Sequence, residues 1–140
     1  MEETFLVSTD RNKLDIDMIH AYLSSQAYWS KGRSRSVVEK SIANSLCFGV
    51  YHPSGKQVGF ARVVTDYAVF AWLMDVFIVE DYRGRGLSKQ MLRSIMNHAD
   101  LQNLQRWGLL TADAHALYQQ YGFSSVDSPE WFMELVKSPS

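Results

Sequence analysis

The sequence predicts one α/β domain, residues 1–140, built on a single mixed and mostly antiparallel sheet. Apolar residues recur at strand spacing in some segments and at helix spacing in others, in the order βααβββαβαββ. The run His-Pro-Ser-Gly-Lys at 52–56 separates two strand-like runs and is typical of a hairpin turn. No low-complexity linker or repeat divides the 140 residues, so they can share one core. We expect about six to seven strands flanked by about four helices.

The composition is that of a globular protein. The chain is 46% hydrophobic and 21% charged, which is typical of neither disordered nor membrane-spanning chains. Its formal net charge of −1 argues against nucleic-acid binding, which selects a basic surface. The acidic start, Met-Glu-Glu-Thr, lacks the order of a signal peptide. Because Cys47 is the only cysteine, no internal disulfide forms, and we expect a cytoplasmic protein with neither a membrane nor a nucleic-acid partner.

The first part of the chain predicts a short strand and two helices. Residues 5–7 are apolar and form the strand. The first helix is expected to begin at Asp15 or Asp17, and the second at Ser34 or Ser36, because these residue types cap helix N-termini. Both helices carry apolar side chains at intervals of three to four residues, which gives each of them one face for the core.

Three apolar runs then predict an antiparallel meander. Residues 47–51 and 58–64 flank the hairpin turn, and residues 69–79 supply the third strand. A helix stripe follows over residues 87–99. Later in the chain we expect a brief strand at 106–110, a helix at 112–121, and two closing strands at 123–126 and 132–136.

The most informative segment is residues 83–88, Arg-Gly-Arg-Gly-Leu-Ser, between the third strand of the meander and a helix. Two glycines let the backbone approach a ligand closely. The first amides of the helix have no intrahelical acceptor and lie at the positive end of its dipole. Such a turn binds anions, most often phosphate. The sequence of a P-loop is absent from the chain, which excludes that type of phosphate site. A dinucleotide-binding loop is also excluded, because Lys89 occupies the position of its third glycine.

Two blocks of sequence together resemble the GNAT N-acetyltransferase superfamily, small stand-alone members of the bacterial type. Arg83-x-x-Gly86-x-Ser88 is similar to the acetyl-CoA pyrophosphate loop of that family, and the block at 114–123 is similar to its helix that ends in Tyr-x-x-x-Gly-Phe. The blocks stand in the family's order, and the resemblance covers nearly the whole chain. Two positions depart from the pattern, since Ser88 replaces Gly or Ala and Thr111 replaces a common Asn.

The resemblance implies acetyl-CoA as co-substrate and no metal. The strand before the loop is expected to splay from the strand at 107–110, and the pantetheine arm to lie in the gap as an added β-strand would. An amide near Ile78 would then polarise the thioester carbonyl. The residues expected to contact the cofactor are Phe77, Ile78, Val79, Arg83, Gly84, Arg85, Gly86, Leu87, Ser88, Lys89 and Thr111.

Acetyl transfer to an amine needs a base for the amine and an acid for the departing thiolate. The resemblance makes Tyr118 the acid. Asp75 is our candidate base, because a carboxylate in an apolar strand is costly to bury without a partner. An ion pair between Asp75 and Arg62 across the sheet is the alternative reading. Asp66 and Asp113 are further candidates, with Asp113 expected instead to cap the helix of Tyr118.

The acceptor side is expected near Tyr28 and Trp29, where aromatic rings together with Asp66 would suit a cationic amine. The alternative is that Tyr28 and Trp29 seal the core beneath the junction of the two helices. Cys47 is interpreted as a buried strand residue and not as a nucleophile. The leading hypothesis is transfer to a primary amine of a small molecule by direct attack in a ternary complex. Transfer to a protein N-terminus or lysine and a non-catalytic acetyl-CoA sensor are the alternatives, and a homodimer is compatible with the sequence.

Overall fold

The computed structural model describes residues 3–137. Five strands form one sheet in the order β1-β2-β3-β4-β5. The first four run antiparallel as a meander, and β5 lies parallel to β4 at the edge. The strands are β1 Leu6–Ser8, β2 Leu46–Tyr51, β3 Gln57–Thr65, β4 Phe70–Ile78 and β5 Arg106–Leu109.

Helices cover both faces of this sheet. Asp15 caps α1 and Ser34 caps α2, each by accepting a hydrogen bond from a backbone N–H three residues on. A π-helical turn, Tyr22–Gln26, extends α1. The α-helices are α1 Ile16–Ala21, α2 Arg35–Ala43, α3 Leu87–Met96 and α4 His115–Gln119, and short 3₁₀ turns lie at Arg11–Lys13, Glu80–Tyr82, Ala99–Leu101 and Pro129–Trp131.

The sheet separates two apolar clusters. On one face α3 packs over the strands and buries Leu87, Met91, Leu92 and Ile95. On the other face α1 and α2 bury Ile19, Leu23 and Val38 against Phe60 and Phe77. The amphipathic spacing that predicted these helices therefore also identifies the faces that they bury. No helix among residues 3–137 has the length and hydropathy needed to cross a membrane.

The predicted α/β class and mixed, mostly antiparallel sheet are confirmed, but the two closing strands are wrong. Residues 123–126 and 132–136 form no strand, so the sheet of the described chain has five strands. Their apolar runs are real, yet a strand also needs a neighbour to accept its backbone hydrogen bonds. Neither segment has such a neighbour within residues 3–137.

A β-bulge in β4 shapes the edge of the sheet. Phe60 pairs with Phe77 and Arg62 with Met74, so Asp75 and its neighbour Val76 together oppose one residue of β3. Asp75 has a φ of 55°, the left-handed conformation that Asp tolerates better than most residues. Bulges bend a strand and increase its twist.

The bulge coincides with the point where β4 leaves β5. The last pair between these strands is Leu73 with Leu109, whereas β4 continues to Ile78. All four residues of β5 pair with β4 and β5 ends at Leu109, so the second half of β4 has an unpaired outer edge. The space beside this edge is the gap in which the pantetheine arm is predicted to lie, and the splay of β4 from residues 107–110 stays a prediction.

Candidate active site

The glycine loop lies at the end of the free half of β4. Gly84 and Gly86 have φ values of 78° and 76°, in the left-handed region. A Cβ built on either glycine would meet nothing within 4 Å. Both glycines are therefore required by the backbone conformation and not by crowding, and the surface above them is open to a ligand.

The amides of α3 face this open surface. Gly86 is the N-cap of α3, and no side chain caps the helix. The first helical hydrogen bond runs from the Gln90 N–H to the Gly86 carbonyl at 3.0 Å. The N–H groups of Leu87, Ser88 and Lys89 precede that bond and have no intrahelical acceptor. With the helix dipole they form an anion site that fits a phosphate group.

The two arginines of the loop hold its ends in place. Arg83 donates from Nε to the Ile78 carbonyl at 2.9 Å and from a terminal nitrogen to the Tyr22 hydroxyl at 2.8 Å. The guanidinium of Arg85 stacks on the Tyr82 ring, 5.0 Å from its centroid. Arg83 therefore fixes the loop to β4, whereas the half-exposed Arg85 forms an ion pair with Glu3 at 3.5 Å at the rim.

The end of β4 presents one amide to the gap. The Val79 N–H donates to the Val58 carbonyl of β3 at 2.9 Å. Because successive residues of a strand direct their backbone groups to opposite edges, the N–H of Ile78 points away from β3 and into the gap. Phe77 faces the other layer, where its ring stacks on Tyr22 with centroids 3.8 Å apart.

Tyr118 lies on α4, and the motif around it is a helix C-cap. The Phe123 N–H donates to the Tyr118 carbonyl, and the Gly122 N–H to the Gln119 carbonyl, both at 3.2 Å. Gly122 has a φ of 94°, so the two hydrogen bonds and this left-handed glycine form a Schellman motif at the end of α4. The turn returns the Phe123 ring to Tyr118, with centroids 5.9 Å apart. The Tyr-x-x-x-Gly-Phe sequence therefore forms a helix C-cap that holds the Tyr118 side chain in position.

Tyr118 is buried, at 8% exposure, in the same cluster as Ile78 and Leu87. Loss of solvent raises the pKa of its phenol, and the negative charge of Asp113 raises that pKa further. The phenol is therefore an uncharged proton donor throughout the neutral range.

Tyr121, three residues on, donates to the Lys89 carbonyl at 3.0 Å and ties α4 to α3.

Asp75 is the centre of a buried polar cluster. One of its oxygens accepts from the Trp29 indole N–H at 3.0 Å. The other accepts from Arg33 at 2.9 Å and from Arg62 at 3.0 Å. Its side chain is 1% exposed. The ion pair with Arg62 is the alternative that the sequence left open, and the bonds from Trp29, Arg33 and Arg62 occupy both carboxylate oxygens.

Two of these partners could not be identified as site residues from the sequence. Arg33 and Tyr22 bring α1, its π-helical turn and the turn at 27–33 onto the end of β4. An arginine between Gly32 and Ser34 carries no local signal of a buried contact. The contact of Arg33 becomes visible only when the fold brings the turn at 27–33 next to Asp75 of β4.

The remaining acidic candidates have structural roles at other positions. The Asp66 carboxylate accepts three backbone N–H bonds in the β3–β4 turn, from Ala68, Val69 and Phe70, and these bonds lower its pKa. The turn lies at the opposite end of β4 from the glycine loop. Asp66 is thus a poor base and is not brought together with the other predicted residues.

The predicted cap of α4 is wrong. α4 begins after Ala114, and no side chain caps it. Thr111 makes the nearest equivalent contact, since its hydroxyl accepts from the Ala114 N–H at 3.0 Å. Asp113 makes no such bond, because the loop before α4 places Thr111 at the amide instead. Contact of Thr111 with the cofactor stays a prediction.

The predicted acceptor residues lie beside the Asp75 cluster. Trp29 is 42% exposed and Tyr28 is 61% exposed, with their rings packed edge to face. Trp29 does not seal the core, because its indole N–H bonds Asp75 and part of its ring remains in solvent. The two rings therefore form an aromatic surface next to the bulge.

Cys47 is buried on β2, and loss of solvent raises the pKa of its thiol to about 11. Since only the thiolate is nucleophilic, we expect iodoacetamide to modify the folded protein about 100-fold more slowly than the urea-unfolded chain near neutral pH. Mass spectrometry of timed samples measures this ratio, and equal rates would contradict the burial of Cys47.

Residues 3–137 contain no cluster of three or more metal-binding side chains.

Comparison with known proteins agrees with this geometry. The family model of the GNAT acetyltransferase domain matches residues 43–125. A GNAT-family structure from Xanthomonas campestris pv. campestris is 46% identical, covers 96% of this chain and 94% of its own, and superposes with a TM-score of 0.93. The spermine/spermidine N(1)-acetyltransferase of Bacillus subtilis is 35% identical over 82% of this chain and 83% of its own length.

A more distant structure has the same fold. The Rv2747 protein of Mycobacterium tuberculosis, solved in complex with CoA, has a TM-score of 0.70 at 20% identity, over 87% of this chain and 73% of its own. A family model that spans more than half of the chain, and a relative 46% identical over nearly its whole length, leave no ambiguity about descent. The chain belongs to the GNAT family of acetyltransferases.

Proposed function

We propose that the protein transfers the acetyl group of acetyl-CoA to a primary amine of a small molecule, by direct attack within a ternary complex. The observation that carries this proposal is the glycine loop, whose free amides lie at the end of a strand with an unpaired outer edge. A diphosphate fits the loop, and an extended thiol arm fits the unpaired edge of β4. CoA in the Rv2747 structure, which has the same fold, supports this choice of ligand.

In this proposal the Ile78 N–H donates to the thioester carbonyl and stabilises the negative charge that develops on its oxygen. The amine nitrogen forms its bond to the carbonyl carbon, and the carbon–sulfur bond breaks. Tyr118 gives its proton to the departing thiolate, which suits a buried and uncharged phenol. Solvent then returns a proton to the tyrosine.

The amine must lose its own proton before it attacks, and we propose that water takes it. The contacts of Asp75 favour a positioning role over the role of base, because both of its oxygens already accept bonds and its side chain is almost completely buried. In that role Asp75 holds Trp29 and Arg33, and with them the turn at 27–33, against the bulge of β4.

The variant Asp75→Asn separates the two roles. We expect it to lower the free energy of unfolding by about 3 kcal/mol, because two buried guanidinium groups lose their counter-charge. Urea unfolding measures the loss. The matched control is Glu39→Gln, which breaks an exposed pair with Arg35 and should change stability by less than about 0.5 kcal/mol.

A pH profile of the same variant completes the test. If Asp75 is a positioning residue, kcat falls by a similar factor at every pH and the profile keeps its shape. If Asp75 is the base, the variant loses the part of the acidic limb that reports protonation of this carboxylate, so that the loss of rate becomes less steep as the pH falls. A changed acidic limb would return Asp75 to the role of base.

A cationic amine fits the aromatic surface beside the bulge of β4. The exposed rings of Tyr28 and Trp29 suit a cationic amine, which can stack on their faces. Similarity to a spermine/spermidine N(1)-acetyltransferase supports polyamines as the first class to test. Release of thiol from acetyl-CoA should be measured with polyamines, amino acids, aminoglycosides and peptides. Turnover on peptides alone would favour a protein acceptor, and CoA binding without any turnover would favour a sensor.

A further inference from the structure

The polar cluster around Asp75 contains more positive than negative charge. Two guanidinium groups, those of Arg33 and Arg62, pair with the same oxygen of one carboxylate. No other carboxylate pairs with either arginine among residues 3–137. The cluster therefore has a surplus of one positive charge, and a charge held away from water is costly unless an opposite charge reaches it.

Each of the three guanidinium nitrogens of Arg62 has an acceptor inside the protein. Nε donates to Asp75 at 3.0 Å, one terminal nitrogen donates to the Ser45 hydroxyl at 3.0 Å, and the other lies 3.4 Å from the Met74 sulfur. The Arg62 side chain is 9% exposed. Asp75 and Arg62 are therefore a neutral buried pair, and the surplus charge belongs to Arg33.

The guanidinium of Arg33 has free donors within the described chain. It makes one hydrogen bond there, from Nη1 to Asp75 at 2.9 Å. Nε and Nη2 form the other edge of the group, which matches the two oxygens of a carboxylate. The side chain is 20% exposed, so a small solute can reach it.

Arg33 lies on the acceptor side of the site. Arg33 and the Trp29 indole donate to the two oxygens of the Asp75 carboxylate, so the guanidinium and the half-exposed Trp29 ring lie side by side. Asp75 precedes Ile78 on β4 by three residues, about 10 Å along an extended strand. A group bound to Arg33 is therefore within the length of a small molecule from the amide that would face the thioester.

The turn at 27–33 contains no carboxylate to balance this charge. Its sequence is Ala-Tyr-Trp-Ser-Lys-Gly-Arg, and the Asp17 and Glu39 carboxylates pair with Arg35. An acceptor with several ammonium groups and no anionic group would meet a surplus positive charge here, and like charges repel. The surroundings of Arg33 favour an acceptor that has one negative group.

We propose that the acceptor is an amino acid, and that Arg33 binds its carboxylate through Nε and Nη2. This inference rests on the proposed acetyl transfer and names the class of its substrate. One carboxylate neutralises the single surplus charge, and a two-point contact with the guanidinium fixes its orientation. The rings of Tyr28 and Trp29 then cover the apolar part of the acceptor. Arg33 selects the substrate and takes no part in the proton transfers.

The first test compares an amino acid with its own amide, which keeps the amine and loses the negative charge. Thiol release from acetyl-CoA identifies the best substrate among the common L-amino acids, and that substrate is then paired with its amide. Arg33→Gln should raise the KM of the acid by about 50-fold, with kcat and the KM of acetyl-CoA little changed. The acid-to-amide ratio of kcat/KM should fall by the same factor.

This ratio separates recognition from structure. A purely structural loss would lower the rates of acid and amide alike, so an unchanged ratio in Arg33→Gln would overturn the inference. Lys31→Gln is the matched control, because it removes a positive charge from an exposed side chain of the same turn and should change the ratio by less than about threefold. Arg33→Lys keeps the charge without the two-point contact and should retain part of the ratio.

An NMR titration tests the site without reference to turnover. In the nitrogen-15-labelled full chain saturated with CoA, the Nε–H signal that is lost in Arg33→Gln belongs to Arg33. We expect this signal to shift with amino acids and not with their amides. No shift with any amino acid would overturn the inference, and so would turnover on polyamines or amino phosphates alone. A shift of Arg33 without thiol release from any acceptor would support the carboxylate site and remove the proposed acetyl transfer.

Discussion

Tyr118→Phe is expected to lower kcat by about 100-fold while CoA affinity stays within a factor of about two. The change removes only the hydroxyl. The ring keeps its contact with Phe123 and its buried position, so the fold has no reason to change. Without the hydroxyl, CoA departs as an unprotonated thiolate. Steady-state kinetics with the best acceptor, and calorimetric titration with CoA, measure the two effects.

Tyr121→Phe is the matched control, because it removes a hydroxyl of the same helix end whose partner is the Lys89 carbonyl. It should leave kcat nearly unchanged. The pH dependence adds a second readout, since a raised pKa keeps the acid protonated beyond the ordinary phenol value of 10.0. We therefore expect no loss of kcat from ionisation of Tyr118 below that pH. An unchanged kcat in Tyr118→Phe would remove its role as acid.

Gly86→Val is expected to abolish detectable CoA binding in a protein that still folds. Gly86 has a φ of 76°, which costs a non-glycine residue about 1–3 kcal/mol. The space beside its Cα is free of protein atoms. The valine side chain would occupy that space and hold a diphosphate away from the first amides of α3.

Gly55→Val is the control for strain. Gly55 lies in the β2–β3 turn with a φ of 95°, and a Cβ there also meets nothing within 4 Å. Both variants should lose a similar free energy of unfolding, yet only Gly86→Val should lose the CoA heat in a calorimetric titration. Equal loss of CoA binding in both variants would attribute the effect to stability, and retained affinity in Gly86→Val would place CoA elsewhere.

Much of the site was predictable because its signals are local. The glycine loop needs only two glycines between an apolar strand and a helix stripe, and the Schellman turn at Gly122 fixes Tyr118 from four residues away. Each of these features is determined by residues that are close together in the sequence.

The Asp75 cluster was not predictable in full, because its contacts join distant parts of the chain. Arg33 and Trp29 lie 42 and 46 positions from Asp75. The bulge that turns the carboxylate towards them depends on the register of β3 against β4, which apolar patterns do not encode. A carboxylate in an apolar strand indicated a special position, but its surroundings decided between ion pair and base.

The closing strands failed for a different reason. The run Phe-Met-Glu-Leu-Val at 132–136 has strand-forming residues, and the side chains indeed remain available for a sheet. Strand formation is a property of a pair, and neither closing segment pairs with a strand of the sheet in the described chain. Local preference therefore identified strand-forming residues but could not show whether a neighbouring strand would accept their hydrogen bonds.

The most direct test of the central claim is an amide NMR titration that compares CoA with pantetheine, which lacks the diphosphate. If backbone amides of α3 and its loop grip the diphosphate, the signals of Gly84, Gly86, Leu87, Ser88 and Lys89 shift strongly with CoA and weakly with pantetheine. Equal shifts with both ligands, or no shift of these amides at saturating CoA, would contradict the account.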